Sequence, residues 1–271
     1  MKATTKTVAP QALGALLEST FVGHLPGVMY TSVGSLEVPI SDITNDSKQV
    51  SQGSLYCCVV GDHTDGHDFA QDALNAGASA LLVERKLPID CAQVIVSDAR
   101  RAMGEMSSAF YDHPSKRMRV VGITGTNGKT TTAHLLGAIF RQQGLNTEVF
   151  GTLSGARTTP ESCDLQRNLW RAANSGVRAV VMEVTSHALV LQRIVGTQFD
   201  AVVFLNLSPE HLDFHKTFDE YIKAKKYFFD QLPKSAFALT NLDDKRGAVM
   251  LQNTNAYKKS YALQTMADFK A

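Results

Sequence analysis

Three groups of residues in this 271-residue sequence have the types and spacing that chemistry needs. The first is Gly125-Thr126-Asn127-Gly128-Lys129-Thr130, with Thr131 after it, between the apolar run "RVVGIT" (119–124) and a segment of helical period that starts at Lys129. Glycines let backbone N–H groups curl around phosphate oxygens, and a helix N-terminus adds partial positive charge. Lys129 can reach terminal phosphates, and the Thr130 hydroxyl can sit on Mg²⁺. The strict pattern G-x-x-x-x-G-K-[ST] is not met, because Gly122 lies one residue too far back and position 123 is Ile. A glycine-rich turn carrying Lys-Thr would look the same in letters. Strand, loop and helix nevertheless all fall where phosphate binding needs them.

The second group is acidic and hydroxylic. Glu183 ends the apolar run "RAVVMEV" (178–184), a usual place for a metal-binding carboxylate beside a phosphate loop. The alternative is a solvated acid at a strand end. Thr158 and Thr159 stand in a loop, where they can donate to phosphate or sugar or serve as turn residues before Pro160. The third group is "HLDFHKTFDEYIKAKKYFF" (211–229), where histidines and lysines crowd together. His211 and His215, four apart, would share a helix face as in a zinc half-site. No third zinc-type ligand follows at motif spacing, and Pro209 makes the stretch a strand-to-loop turn. Thr217 and Glu220 form a capping box for a helix from Phe218 to about Gln231. On that helix Tyr221, Lys225 and Phe228 share a face, while Lys223 and Lys226 point elsewhere. Lys225 is therefore expected to face inward.

The elements that must position these groups alternate between strand and helix. In residues 1–115, "LYCCVV" (55–60), "ALLVE" (80–84) and "VIV" (94–96) read as buried strands. "HDFAQDALNAG" and "DARRAMGEMSSAFYDHP" read as helices closed by Gly77 and Pro114. "HPSKRM" (113–118) is a polar join that puts a domain boundary near 115/116. In residues 116–271 the strands are 119–124, 178–184, "DAVVFLNL" (200–207) and "AFALTNL" (236–242), and a helix runs from Lys129 to Gly144. Runs apolar on both faces suit a mostly parallel sheet flanked by helices, so the fold class is α/β in both blocks.

Composition bounds the partners. Hydrophobic residues make up 44% and charged residues 20%, so a core forms without staples or metals. A net charge of +1 gives no bulk attraction to nucleic acid or membrane, so an anionic ligand must be held locally. The four cysteines show no CxxC and read as free thiols of a reducing compartment. With no signal-like segment and no 18-residue apolar run, the expected location is the cytoplasm and the expected state a monomer.

"GTNGKTTT" resembles the ATP-binding loop of the Mur ligases, a style shared with folylpolyglutamate and cyanophycin synthetases. "GTLSGARTTP" (151–160), "MEVTSHAL" (182–189) with Arg193, "FLNLSPEHLDFH" (204–215) and "YIKAK" (221–225) resemble, in this order, the tripeptide-forming members, the UDP-N-acetylmuramoyl-tripeptide synthetases. "TNDSK" (44–48) and "VVGDHTDGHDFAQDALNAGASALLVE" resemble their uridine-binding domain. The resemblance implies a UDP-substrate domain at 1–115 and a P-loop-type ATPase domain at 116–271. It implies ATP and Mg²⁺ as cofactors, with UDP-MurNAc-dipeptide and an amino acid (diaminopimelate or lysine) as substrates of peptidoglycan synthesis.

It also implies residue roles. The loop 125–131 takes ATP. Thr130, Glu183, His211 and Lys225 serve Mg²⁺, with Lys225 carrying CO₂ as a carbamate, and His215 is left structural. Asn45, Ser47, Asp62, His63 and Thr64 take uridine, and Thr158, Thr159, Ser186 and Arg193 hold the rest of the UDP-substrate. Leu191 and Arg157 depart from the expected pattern. The family's C-terminal domain has no counterpart in this sequence, so the chain is expected to bind its ligands without completing ligation. Another Mur-type ligase, such as a folylpolyglutamate synthetase-like enzyme, or a non-catalytic nucleotide-binding protein, is the alternative.

Overall fold

The apolar runs become strands because they are buried on both sides, and helices cover the faces they leave. The computed structural model describes residues 8–21, 29–154, 157–208 and 218–270. It divides into two units, Met1–His113 with Ser162–Trp170, and Pro114–Glu161 with Arg171–Ala271.

In the first unit the order is β1 (Gln11–Ala12), α1 (Leu13–Phe21), β2 (Tyr30–Val33), β3 (Pro39–Ile40), β4 (Asp42–Thr44), β5 (Ser54–Cys57), α2 (Ala70–Asn75), β6 (Ala80–Val83), β7 (Ala92–Val96) and α3 (Ala99–Phe110). Among the described residues its sheet has five strands in the order β2-β7-β6-β5-β4. All neighbours are parallel except the β2–β7 edge pair. Leu13, Leu16 and Leu17 of α1 pack with Met103, Met106 and Phe110 of α3 on one face, while Ala70 and Ala73 of α2 cover the other.

Two helix expectations need correction. The segment expected as one helix from His67 begins with a 3₁₀ turn, Gly66–Phe69, and only Ala70–Asn75 is α-helical. Helix α3 stops at Phe110 rather than running to Pro114, because Asp112 and His113 take left-handed backbone angles of 57° and 47°. The units part at 113/114, inside "HPSKRM". Residues 162–170 lie in the later block of the sequence yet group with the first unit. Arg167 explains it, donating to the Asp42 carboxylate (3.0 and 3.1 Å), the Ile43 carbonyl (2.9 Å) and the Tyr111 hydroxyl (3.0 Å).

In the second unit the order is β8 (Arg119–Thr124), α4 (Lys129–Gln142), β9 (Thr147–Phe150), α5 (Ser162–Asn174, which begins among the residues just assigned to the first), β10 (Ala179–Glu183), α6 (Ser186–Val190), β11 (Ala201–Phe204), α7 (Phe218–Asp230), β12 (Phe237–Asn241), α8 (Gly247–Met250), β13 (Tyr257–Ala262) and β14 (Phe269–Lys270). Among the described residues its sheet has seven strands, β14-β13-β12-β11-β8-β10-β9, all parallel. The chain winds toward β9 after β8 and toward β14 after β11. The carboxyl ends of β8, β10 and β11 thus lie side by side at a topological switch point, where ligands of such sheets bind.

Gly122, the glycine displaced from the strict loop pattern, serves this packing. A side chain there would run into the rings of Phe199 and Phe228. Those rings meet edge-on, centroids 4.8 Å apart, against the middle of β8. Among the described residues no helix is long and apolar enough to cross a membrane.

Candidate active site

The loop after β8 is held before any ligand arrives. Gly125 has φ 157°, and a Cβ there would press on Leu205 and the Asn206 backbone. The Thr126 N–H donates to the Asn206 carbonyl (3.0 Å), and the Asn206 side-chain amide grips Asn127 twice. It accepts from the Asn127 N–H (2.9 Å) and donates to the Asn127 carbonyl (3.1 Å). Gly128, left-handed at φ 85°, starts α4. Lys129 arches back over the loop, and its Nζ donates to the carbonyls of Gly125 (2.9 Å) and Thr126 (2.7 Å). The ammonium thus sits over the hollow where a phosphate would lie.

A cavity of about 710 Å³ opens above this loop. Gly125 to Thr131 line it together with Thr158, Thr159, Glu183, Ser186, Arg193 and Lys225, so the described candidates of the second unit converge on one space. Glu183 is fully buried, which removes the solvated-acid reading. Its Oε2 accepts from the Thr130 hydroxyl (2.8 Å) and its Oε1 from the Thr152 N–H (2.9 Å). Among the described residues no cationic side chain lies within ion-pair distance of it. A buried carboxylate without a counter-cation is costly. An all-oxygen set of one carboxylate and one hydroxyl beside a phosphate cradle suits Mg²⁺, which takes few protein ligands and keeps waters or phosphates for the rest. The residues therefore fit the ion.

Lys225 does face inward. It is 1% exposed, with Nζ 3.1 Å from the Gly125 carbonyl, 3.4 Å from Thr124 Oγ1 and 4.7 Å above the Tyr221 ring. Burial first, and then the Lys129 ammonium, push its pKa down to about 7. Lys226 pairs instead with Asp230 (2.7 Å), and Lys223 is exposed. Tyr221 is also more than a packing residue, since its hydroxyl lies 3.1 Å from Thr126 Oγ1 in the loop.

Arg193 is not a solvated helix residue. It pairs with buried Glu161 at 2.9 Å and shares that oxygen with Arg157, at 2.6 Å. The Arg157 departure thus places a second guanidinium at the cavity wall. Thr159 is buried, with its hydroxyl donating to the Glu183 carbonyl (2.9 Å) and accepting from the Thr185 N–H (3.3 Å). That hydroxyl proton is committed to the fold, while Thr158 is the member of the pair nearer solvent. His211, His215 and the Thr217 cap lie outside the described residues.

The remaining candidates belong to the first unit. Asn45 and Ser47 follow β4, and Asp62, His63 and Thr64 form the exposed loop after β5, so both groups sit at the carboxyl ends of adjacent parallel strands. Asp46 fixes the first by accepting from the Lys48 N–H (3.0 Å), and Gly61 N–H donates to the Thr64 carbonyl (2.9 Å) in the second. Sequence reasoning missed Asn206, Thr152 and Glu161. The first two stood inside quoted motifs, but only contacts between distant segments reveal their work.

A parallel sheet with a glycine loop at the end of an inner strand, a helix rising from the loop and an acid closing the neighbouring strand define a phosphate-loop α/β unit. The sequence agrees in detail: residues 123–271 match the Mur ligase middle domain, and residues 39–111 match the Mur ligase family catalytic domain. The chain belongs to the Mur ligase family. It is 44% identical over 250 residues to the UDP-N-acetylmuramoyl-L-alanyl-D-glutamate--2,6-diaminopimelate ligase of Cytophaga hutchinsonii, covering 88% of this chain and 51% of that one. To the protein of the same name in Bacillus licheniformis it is 40% identical over 267 residues, 93% of this chain and 54% of that one. A solved structure of such a diaminopimelate ligase superposes with a TM-score of 0.78 at 26% identity, covering 98% of this chain and 54% of its own. The chain spans about half the length of the curated relatives it matches.

Proposed function

We propose that this chain supplies the UDP-substrate unit and the ATP unit of an ATP-dependent ligase that adds a third amino acid, diaminopimelate or lysine, to UDP-MurNAc-L-Ala-D-Glu. The observation that carries the reading is one cavity in which a phosphate loop, a buried carboxylate with no counter-cation among the described residues and an inward lysine meet. The printed names of the relatives, ligases of diaminopimelate and a UDP-linked dipeptide, support the choice of substrates.

A carboxylate resists attack by an amine, so it must first be activated. Its oxygen bonds to the γ-phosphorus of ATP as the β–γ bridge breaks and ADP leaves. The amine nitrogen then bonds to the acyl carbon, and inorganic phosphate departs with the former carboxylate oxygen. Little covalent work falls to the protein, and positioning and charge neutralisation dominate. Lys129 exchanges its two carbonyl partners for phosphate oxygens, while the N–H groups of 125–131 cradle the phosphates. Mg²⁺, when bound, neutralises the triphosphate and the acceptor carboxylate. Thr130, Glu183 and His211 are the proposed holders of the ion.

Lys225 joins them as a carbamate: its neutral amine bonds to the carbon of CO₂ and releases one proton, leaving an anion. Ser186, Arg193, Thr158 and Thr159 hold the UDP-substrate near the loop. Asn45, Ser47, Asp62, His63 and Thr64 take its uridine. Cys57, Cys58, Cys91 and Cys163 stand as thiols outside any disulfide among the described residues, which fits a reducing compartment, and we assign the chain to the cytoplasm.

Calorimetric titration of the 271-residue chain with ATP and MgCl₂ tests the reading. Binding is expected in the unsubstituted chain and a loss of about tenfold or more in Lys129→Ala, since a charged hydrogen-bond donor to phosphate is removed. An unsubstituted chain that binds no nucleotide refutes it. Native mass spectrometry in bicarbonate is expected to show one added CO₂ that Lys225→Ala lacks.

A further inference from the structure

Thr152 follows β9 and lines the cavity, yet no role above uses it. Its neighbourhood is unusually constrained. Ser154 clamps the turn from both sides, its Oγ accepting from the Gly151 N–H (2.7 Å) and donating to the Gly151 carbonyl (2.8 Å). Gly151 must be glycine, because a Cβ there would overlap the Glu183 carboxylate. So fixed, Thr152 touches both halves of the cavity. Its N–H donates to Glu183 Oε1 (2.9 Å), its hydroxyl lies 3.5 Å from Glu183 Oε2, and the same hydroxyl lies 3.0 Å from Thr158 Oγ1.

Proton counting gives this arrangement a direction. A carboxylate only accepts, whereas each threonine hydroxyl has one proton to give. At 3.5 Å the bond to Glu183 is long, so the charge biases the Thr152 proton more than it captures it. The pair is open to water, but while that bias lasts the short contact to Thr158 is made preferentially with the Thr158 proton, which turns the Thr158 lone pairs to the cavity. Lone pairs repel an anion. A cation on Glu183 removes the bias. Thr152 can then donate to Thr158, and the Thr158 proton is released to an anionic oxygen in the cavity.

We propose that Thr152 is a positioning residue that couples the two halves of the site, converting Thr158 from acceptor to donor when a metal–nucleotide occupies Glu183. The inference rests on the function proposed above and adds to it a residue that links the binding of the two ligands. Coupling between sites is reciprocal, so an anionic UDP-substrate must tighten metal–nucleotide binding by the same factor.

The test compares the dissociation constant of UDP-MurNAc-L-Ala-D-Glu, measured by calorimetry on the full chain, with and without ADP plus MgCl₂. The readout is the ratio of the two constants, so a change in either affinity alone does not enter. The unsubstituted chain is expected to show a ratio of about ten, the usual size of such coupling. Thr152→Ser keeps the hydroxyl and is expected to keep the ratio. Thr152→Val keeps shape and N–H, and its ratio is expected to fall to within about twofold of one. Thr158→Val removes the other hydroxyl of the pair and is expected to do the same, which covers a failure of Thr152→Val to fold. A valine variant at either position that keeps the full ratio overturns the inference, as does a ratio of one in an unsubstituted chain that binds both ligands. An unsubstituted chain that binds neither overturns the proposed function, and this inference with it.

Discussion

Replacing Lys225 by methionine should stabilise the protein near neutral pH and lose that benefit in base. Unfolded, the lysine takes its ordinary value of 10.5, and folded it is held at about 7, chiefly by burial and then by Lys129. The folded value lies below the unfolded one, so between those two pH values the unfolded chain binds more protons, and stability rises with pH. At roughly 1.4 kcal/mol per pH unit, the cost of the buried ammonium is about 4–5 kcal/mol below pH 7 and about 2 kcal/mol at pH 9. It vanishes above the unfolded value. Methionine removes this cost but gives up the bond to the Gly125 carbonyl and the contact with the Tyr221 ring, together worth about 1–2 kcal/mol. The net expectation is a variant about 3 kcal/mol more stable at pH 6.5 and within about 1 kcal/mol of the parent at pH 9. Urea unfolding of both chains in CO₂-free buffer, followed at several pH values, measures the difference directly. A difference that does not change with pH, or one of opposite slope, would refute the claim that burial holds this amine near neutrality. The same amine is what CO₂ needs, so the stability profile and the carbamate stand on one physical cause.

Two further outcomes follow from close packing. Gly151→Ala forces the Glu183 carboxylate off its bonds to Thr152 and Thr130. Calorimetry should show Mg²⁺–nucleotide affinity reduced about tenfold or more, as expected when bonds to a charged group are lost. Phe228→Ala empties the space beside Phe199 and Gly122, and its urea midpoint should report a loss of about 3–5 kcal/mol.

The parts of the molecule that could be read in the sequence are those specified by neighbours in the chain. The strand 119–124 and the helix from Lys129 are such parts, since apolar run, glycines and helix former follow without a break. Lys225 is another, because its inward direction follows from spacing to Tyr221 and Phe228 on one helix. What escaped notice depends on residues far apart. Asn206 reaches Asn127 across 79 positions, and Arg167 finds Asp42 across 125, drawing residues 162–170 into the first unit. Helix α3 ended early because Asp112 and His113 accept left-handed angles, for which their residue types are permissive but not diagnostic. Glu183 could be nominated from its place at a strand end. Its want of a counter-cation among the described residues could not, since that is a property of everything around it.

The double grip of Asn206 on Asn127 separates the shape of the phosphate loop from its spelling. The template for the curl stands just after the neighbouring strand β11, and the turn itself begins at Gly125, so the position where the strict pattern wants its first glycine is released to carry Ile123 into the core. Position 123 is therefore free to be apolar, while Gly125, Gly128 and Asn206 are held by the geometry of the turn. A search keyed to the strict loop letters would pass over this chain, whereas one keyed instead to Gly125, Gly128-Lys129 and an amide after β11 would find it.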